Sequence, residues 1–351
     1  MHMARSARTI LAAFILAAMQ PCFALETEMV SNWPGNIPIR EMPAPTGLRP
    51  TLAKATALFG GLSCGPDSTF YYRHDDAPIS GSLLEEPLTR LNADGSETKI
   101  DLTRLPGASS AVSVLAYAVG EQGRIFSILS NETDGAQFLA AHDPSGAVRW
   151  SARLPFRIFP DTFLPVSGNE FLVAGLTITK KDVRPEPVIA LIDSSGKIVR
   201  SLAESNNSSY AAKAAPGNPH YQTALSSAEL DLNGSIYLFK AAAYPKVQVL
   251  DAQGNTARAL QLTPPGENAE ATHFFLDNGR IAVLYQQQLA AENGKQKGRL
   301  LLATYDAASG KPIALYVQRA LGILACINGG NATILSTTAD NHFAVGRVAL
   351  D

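Results

Sequence analysis

The chain has 351 residues, 29 Lys and Arg against 31 Asp and Glu, and 46% hydrophobic residues. That length suits one large or two ordinary domains, and the apolar content is ample for a core. A net charge of −2 supplies neither the electrostatic footprint of a nucleic-acid binder nor a polybasic cluster for anionic lipid.

The N-terminus, "MHMARSARTILAAFILAAMQPCFALET", carries Arg5 and Arg8, an apolar run from Ile10 to Met19, and a small residue, Ala24, at a plausible cleavage point. This pattern is that of a secretory signal peptide over residues 1–24, with an apolar run too short for a stable membrane span. Met19-Gln20-Pro21 lacks the small residues that a lipid-modification site needs before Cys22, so no lipoprotein anchor is expected. Cleavage removes two Arg from 29 basic residues against 31 acidic ones and leaves a charge of about −4. The mature chain is expected to be exported to the periplasm or the cell exterior as a monomer.

Residues 25–54 read as a Pro-containing leader. From about residue 55 a repeat begins. Aligned on a turn glycine, the copies are "LTRLNADGSETKIDL" (Gly95), "FLAAHDPSGAVRWSARL" (Gly146), "VIALIDSSGKIVRSL" (Gly196), "VQVLDAQGNTARALQL" (Gly254) and "LLATYDAASGKPIALYV" (Gly310), at intervals of 51, 50, 58 and 56 residues. Each reads as two strands joined by a turn in which Gly takes a positive φ and an acidic side chain accepts a turn N–H. Upstream of each lies a second hairpin, such as "AELDLNGSIYLFKA" and "THFFLDNGRIAVLY". Two hairpins per unit of about fifty residues make a four-stranded blade, and the whole predicts an all-β, six-bladed β-propeller over residues 55–351. The sixth unit, "LGILACINGGNATILSTTADNHFAVGRVALD", ends after three strands. An open edge is a liability, so a leader strand, expected within 31–42 ("SNWPGNIPIREM"), should complete that blade and close the ring.

Cys64 and Cys326 remain after cleavage. Both sit at the end of a first strand, in blades that are neighbours in a closed ring. A Cys64–Cys326 disulfide is the expectation in an oxidising compartment; the alternative is two buried thiols.

"DLNGSIYLFKAAAYPKVQVLDAQGNTARAL" resembles an NHL repeat, with a turn Gly, an Ile-Tyr-aliphatic strand, a short loop and an apolar strand ending in Asp-x-x-Gly. Parts of five blades are similar to NHL-type and SMP-30-like six-bladed propellers. The blades are longer than typical NHL repeats, and Phe239 and Lys240 stand where an Asp often follows the second strand. The calcium-dependent lactonases of the SMP-30/gluconolactonase type carry Glu-Gly-Pro at the first inner strand; the comparable "FGGLSCGPD" has Gly60 and Gly61 and no Glu.

Candidate ligand-binding residues follow from this layout. "RHDD" combines Arg73, His74, Asp75 and Asp76, which could hold a cation or move a proton; since adjacent residues cannot all converge on one ion, the preferred reading is the solvated end of the strand "STFYYR". The longest inter-blade insertion carries Tyr210, His220 and Tyr221, residues suited to a lid or recognition loop. His273 precedes "FFLDNG" on a first strand, and Asp161, Glu229 and Asp231 are the acidic residues of the first strands. No H-E-x-x-H, C-x-x-C, G-x-S-x-G or phosphate-loop motif occurs.

First-to-second and third-to-fourth turns share one face and are all short, whereas the long connections lie on the other. Two functions fit. One is an exported non-catalytic scaffold binding a protein, peptide or glycan on the long-loop face, with no cofactor. The other is a metal-dependent hydrolase or lyase of the lactonase or streptogramin-lyase kind at the channel mouth, for which Ca²⁺ is the expected ion.

Overall fold

A computed structural model describes residues 33–54, 57–75, 84–105, 112–167, 169–177, 186–202, 227–292, 295–318 and 322–350. The expected signal peptide therefore lies outside the described residues. Two strands precede the ring, β1 (Ile39–Glu41) and β2 (Thr46–Lys54). Blade 1 holds β3 (Leu58–Cys64), β4 (Phe70–Asp75), β5 (Leu88–Leu91) and β6 (Glu97–Ile100). Blade 2 holds β7 (Val112–Val119), β8 (Ile125–Asn131), β9 (Gln137–His142) and β10 (Val148–Arg153). Blade 3 holds β11 (Ile158–Ser167), β12 (Glu170–Thr177), β13 (Glu186–Asp193) and β14 (Ile198–Ser201). Blade 4 holds β15 (Ser227–Leu230), β16 (Ile236–Lys240), β17 (Lys246–Leu250) and β18 (Thr256–Gln261). Blade 5 holds β19 (Ala269–Asp277), β20 (Arg280–Glu292), β21 (Lys295–Asp306) and β22 (Pro312–Gln318). The chain ends in β23 (Ile323–Asn328), β24 (Asn331–Thr337) and β25 (His342–Ala349).

Each blade is an antiparallel meander, and the inner strands touch in the cyclic order β3, β7, β11, β15, β19, β23 and back to β3. This is the expected six-bladed propeller. The turn chemistry is as the repeat implies: Gly95, Gly146, Gly196, Gly254 and Gly310 all have positive φ. In four copies the aspartate that begins the turn closes it, and in the first copy Asp94, next to the glycine, accepts the Ser96 hydroxyl and N–H. Asp143 accepts the Ser145 hydroxyl and N–H, Asp193 those of Ser195, Asp251 the Asn255 N–H, and Asp306 the Ser309 hydroxyl. These bonds hold all four carboxyls below the usual range.

The core is distributed between the blades, in six apolar layers at the six seams. Period-2 alternation supplies them, because both faces of a blade are covered by neighbours. At the seam of blades 4 and 5, Phe239 stacks on Phe274 at 5.0 Å. At the seam of blades 2 and 3 a buried polar side chain is matched: Gln137 of blade 2 donates to the Ile158 carbonyl (2.9 Å) and accepts the Ile158 N–H (2.7 Å), a backbone-like pair at the start of blade 3.

Blade 6 has three strands of its own, and β2 completes it by antiparallel pairing with β25. The closing strand is thus residues 46–54, not 31–42. Pro34 and Pro38 interrupt the earlier stretch, and its apolar residues serve elsewhere: Trp33 packs edge-on to Tyr305 at 6.0 Å in the seam of blades 4 and 5, and Met42 enters the seam of blades 5 and 6. Between them β1 adds a parallel fifth strand to blade 5. In β2, Thr51 and Ala53 are buried while Leu52 points outward, 75% exposed. Pro50 is tolerated because β2 is an edge strand. The leader also bonds to blade 1: the Leu52 N–H donates to Glu97 Oε1, which accepts the Tyr72 hydroxyl as well. It is a belt across three seams. Cys64 and Cys326 form a disulfide between β3 and β23.

Candidate functional site

Arg73, His74 and Asp75 end β4, a second strand covered by its neighbours, and are only 7%, 8% and 2% exposed. The expectation of a solvated strand end is corrected. A blade's second strand is flanked by its own first and third strands and by adjacent blades, so its end is enclosed; the corresponding residues of blade 2, Ile128 and Leu129, are fully buried hydrophobics. Arg73 is accommodated by donating from Nη1 to the Val114 carbonyl at 3.0 Å and by lying 5.6 Å over the Tyr117 ring. Burial lowers the Arg73 pKa and Tyr117 partly offsets this. Tyr117 in turn donates its hydroxyl to the Gly61 carbonyl. A Cβ at Gly61 would meet the Tyr117 ring at 2.6 Å, so the glycine that departs from the lactonase pattern is required by this packing. His74 lies against Tyr72 at 5.5 Å. Asp76, Tyr210, His220 and Tyr221 lie outside the described residues.

Asp161, Glu229 and His273 lie on β11, β15 and β19, successive inner strands that touch. They do not share a level. Asp161 is the bulged residue between the pairs Pro160–Gly175 and Thr162–Ala174, and His273 pairs with Leu284. Counted from the first buried residue of each second strand, both fall near the fourth position, whereas Glu229 pairs with Tyr237 at the second. Two residues of strand separate the levels by about 7 Å. Asp231 belongs to the following turn, where it accepts the Asn233 and Ser235 N–H groups. Among the described residues, no group of three or more His, Cys, Asp and Glu side chains is arranged to hold a metal ion.

Bulges recur in the inner strands of blades 1, 2, 3, 5 and 6. They re-aim side chains near the channel, and no sequence signal marks them. Asp161 and His273 are exposed, with His273 coplanar with Phe275 at 6.4 Å; desolvation lowers the His273 pKa. Glu229 keeps partial solvent contact, yet protein surrounds its carboxyl closely enough that desolvation alone pushes its pKa up to about 8 from 4.5.

The sign follows from linkage. A carboxyl whose folded pKa is raised contributes fully below its unfolded pKa, and that contribution is lost as pH rises toward 8. Glu229→Gln removes this dependence. The variant should gain stability relative to the parent between about pH 4.5 and 8, by on the order of 2 kcal/mol after allowing for the partial solvent contact. Urea unfolding at a series of pH values measures the gain; a difference that stays flat across the window would contradict it.

Of the long connections expected on one face, residues 76–83, 178–185 and 203–226 lie outside the described residues, and "SNETDGAQ" is a five-residue link between Asn131 and Gln137. First-to-second turns are tight, as between Asp277 and Arg280 or Asn328 and Asn331. On the opposite face, the stretch "QQQLAAENGKQKGR" is a bulged hairpin rather than a loop: β20 and β21 run 13 and 12 residues and pair as far as Glu292–Lys295, with a register shift between Leu289 and Glu292. Among the described residues, β19 pairs as far as Gln287 and β22 as far as Leu300. A two-stranded ribbon therefore projects about 15 Å beyond the blade. On the short-turn face, a cavity of about 260 Å³ opens at the seam of blades 6 and 1. Its residues come from chain segments far apart, and the sequence carried no signal for it.

No protein-family model and no curated protein matches the chain. Solved structures are similar at the level of overall arrangement. A protein of unknown function from Bacteroides caccae shows 13% identity and a TM-score of 0.41, with 75% of this chain and 88% of that one covered. The WD40 domain of Neurospora crassa Pan2 shows 10% identity and a TM-score of 0.43, covering 89% and 98%. Prolyl oligopeptidase B from Galerina marginata shows 10% identity and a TM-score of 0.44, and this chain, 85% covered, spans 49% of that chain. The chain is a six-bladed β-propeller by its own sheet order and ring contacts.

Proposed function

We propose that the protein is an exported, non-catalytic β-propeller scaffold that binds a protein, peptide or glycan partner on its long-loop face. The observation carrying this reading is the blade 5 ribbon, which among the described residues extends past the last pairings of its flanking strands at Gln287 and Leu300. Unpaired main-chain donors and acceptors on a projecting ribbon suit partner contacts by strand addition. Export is supported by the disulfide, since such bonds persist in oxidising compartments. The separate levels of Glu229 and His273 favour binding over a shared reaction centre.

The test replaces residues 288–297 with a two-residue turn. The trimmed protein should keep its melting temperature, because the ribbon lies outside the blade, and should lose partners retained by the parent in capture from an exported-protein fraction and on a glycan array. Equal retention by both proteins would contradict the reading. The alternative, a metal-dependent hydrolase or lyase, draws on the raised pKa of Glu229. It would be favoured by a rise in melting temperature with Ca²⁺ after EDTA treatment, since a ligand at about a hundred times its Kd adds roughly 2.7 kcal/mol.

A further inference from the structure

We propose that the cavity at the seam of blades 6 and 1 is a binding site for a small hydroxylated carboxylate. It lies on the face opposite the ribbon and is independent of the function proposed above. At about 260 Å³ it is larger than a bare ion needs, and its floor includes Phe70 and the disulfide at Cys64.

Two cations define it. Arg49 on β2 and Arg347 on β25 come from paired strands, in which Thr46 faces Arg347 and Arg49 faces Val345. Among the described residues neither guanidinium forms an ion pair. Burial and the neighbouring charge of Arg347 both lower the Arg49 pKa, so the two groups repel across a space that an anion would neutralise. Arg49 is held in place: Nη1 donates to the Ser68 and Asn92 carbonyls, each at 2.8 Å. Its remaining nitrogens are left for other acceptors, and a guanidinium fixed beforehand loses less freedom on binding.

The neutral polar groups fit the rest of such a ligand. The Ser68 and Thr333 hydroxyls and the Asn328 amide line the cavity with no side-chain hydrogen-bond partner among the described residues. Asp67 also lines it, so the local charge is about +1, which matches a monoanionic carboxylate better than a dianionic phosphate. The Asp67 carboxylate can accept a hydrogen bond from a ligand hydroxyl.

The rim is strained as well. Asp67 (φ 53) and Ser68 (φ 65) are consecutive left-handed residues. The matching turn of blade 2 pairs Gln122 with Gly123, φ 59 and 71, so Ser68 stands where the same geometry elsewhere takes a glycine. Strain of this kind collects at ligand clamps.

Isothermal titration of the mature protein with glycerate, glucuronate and inorganic phosphate tests the proposal. Arg347 is exposed and outside the core, so Arg347→Gln should fold with an unchanged melting temperature. Saturable binding of glycerate or glucuronate, weakened about tenfold or more in Arg347→Gln and reduced by added salt, is the expected result. Ser68→Gly serves as a second variant that relieves the strain and removes a hydroxyl; it should be more stable and bind more weakly. No binding of either carboxylate, equal binding by Arg347→Gln, or tighter binding of phosphate would overturn the assignment.

Discussion

Replacing Cys64 and Cys326 together by Ala should lower the unfolding free energy by up to about 5 kcal/mol. The bond joins residues separated by 262 positions, with Cα atoms 6.1 Å apart, a spacing ordinary for a disulfide. In the chain-entropy model, cross-linking so long a loop removes much of the freedom of the unfolded chain. The bond also ties first blade to last, where a ring of separately folded hairpins opens most readily. Urea unfolding with and without reductant checks this. The reduced parent and the double variant should share one lowered midpoint, and a parent insensitive to reduction would contradict the expectation.

Starting the chain at Ala57 should have an effect of similar size by another route. It removes β2 and exposes the edge of β25, and takes Trp33, Met42 and Ala53 out of three seams in which they are 7%, 6% and 0% exposed. Burial of Trp33 and Met42 alone contributes roughly 2–3 kcal/mol each. An unpaired β25 is also a template for association. The truncated protein should run as dimers or larger species by light scattering, with a lowered melting temperature. A monomer of unchanged stability would show that β2 is dispensable.

The legibility of this chain depended on how local each feature is. The Asp-to-Gly turns were readable because a turn's chemistry is held in four or five consecutive residues: Asp193, Ser195 and Gly196 interact with one another. The disulfide was readable from two positions and a ring topology. The closing strand was misplaced because Leu48 and Leu52 of β2 face outward, 53% and 75% exposed, which inverts the hydrophobic pattern by which a half-buried strand is recognised. "RHDD" misled for the opposite reason: charge suggested solvent, while the second-strand register imposed burial and a bond from Arg73 to Val114.

By itself, then, the sequence determined the all-β class, the four-stranded unit, the number of blades, the incomplete last blade and the cysteine pair, since these rest on short-range turn geometry and period-2 alternation repeated at a regular interval. Only the tertiary structure decided which leader residues close the ring, that Asp161 and Glu229 sit at different levels, that the blade 5 connection is a projecting ribbon, and that Arg49 and Arg347 meet across a cavity. Each of those depends on residues tens to hundreds of positions apart being brought together by strand register and ring closure, and no local pattern encodes such distances.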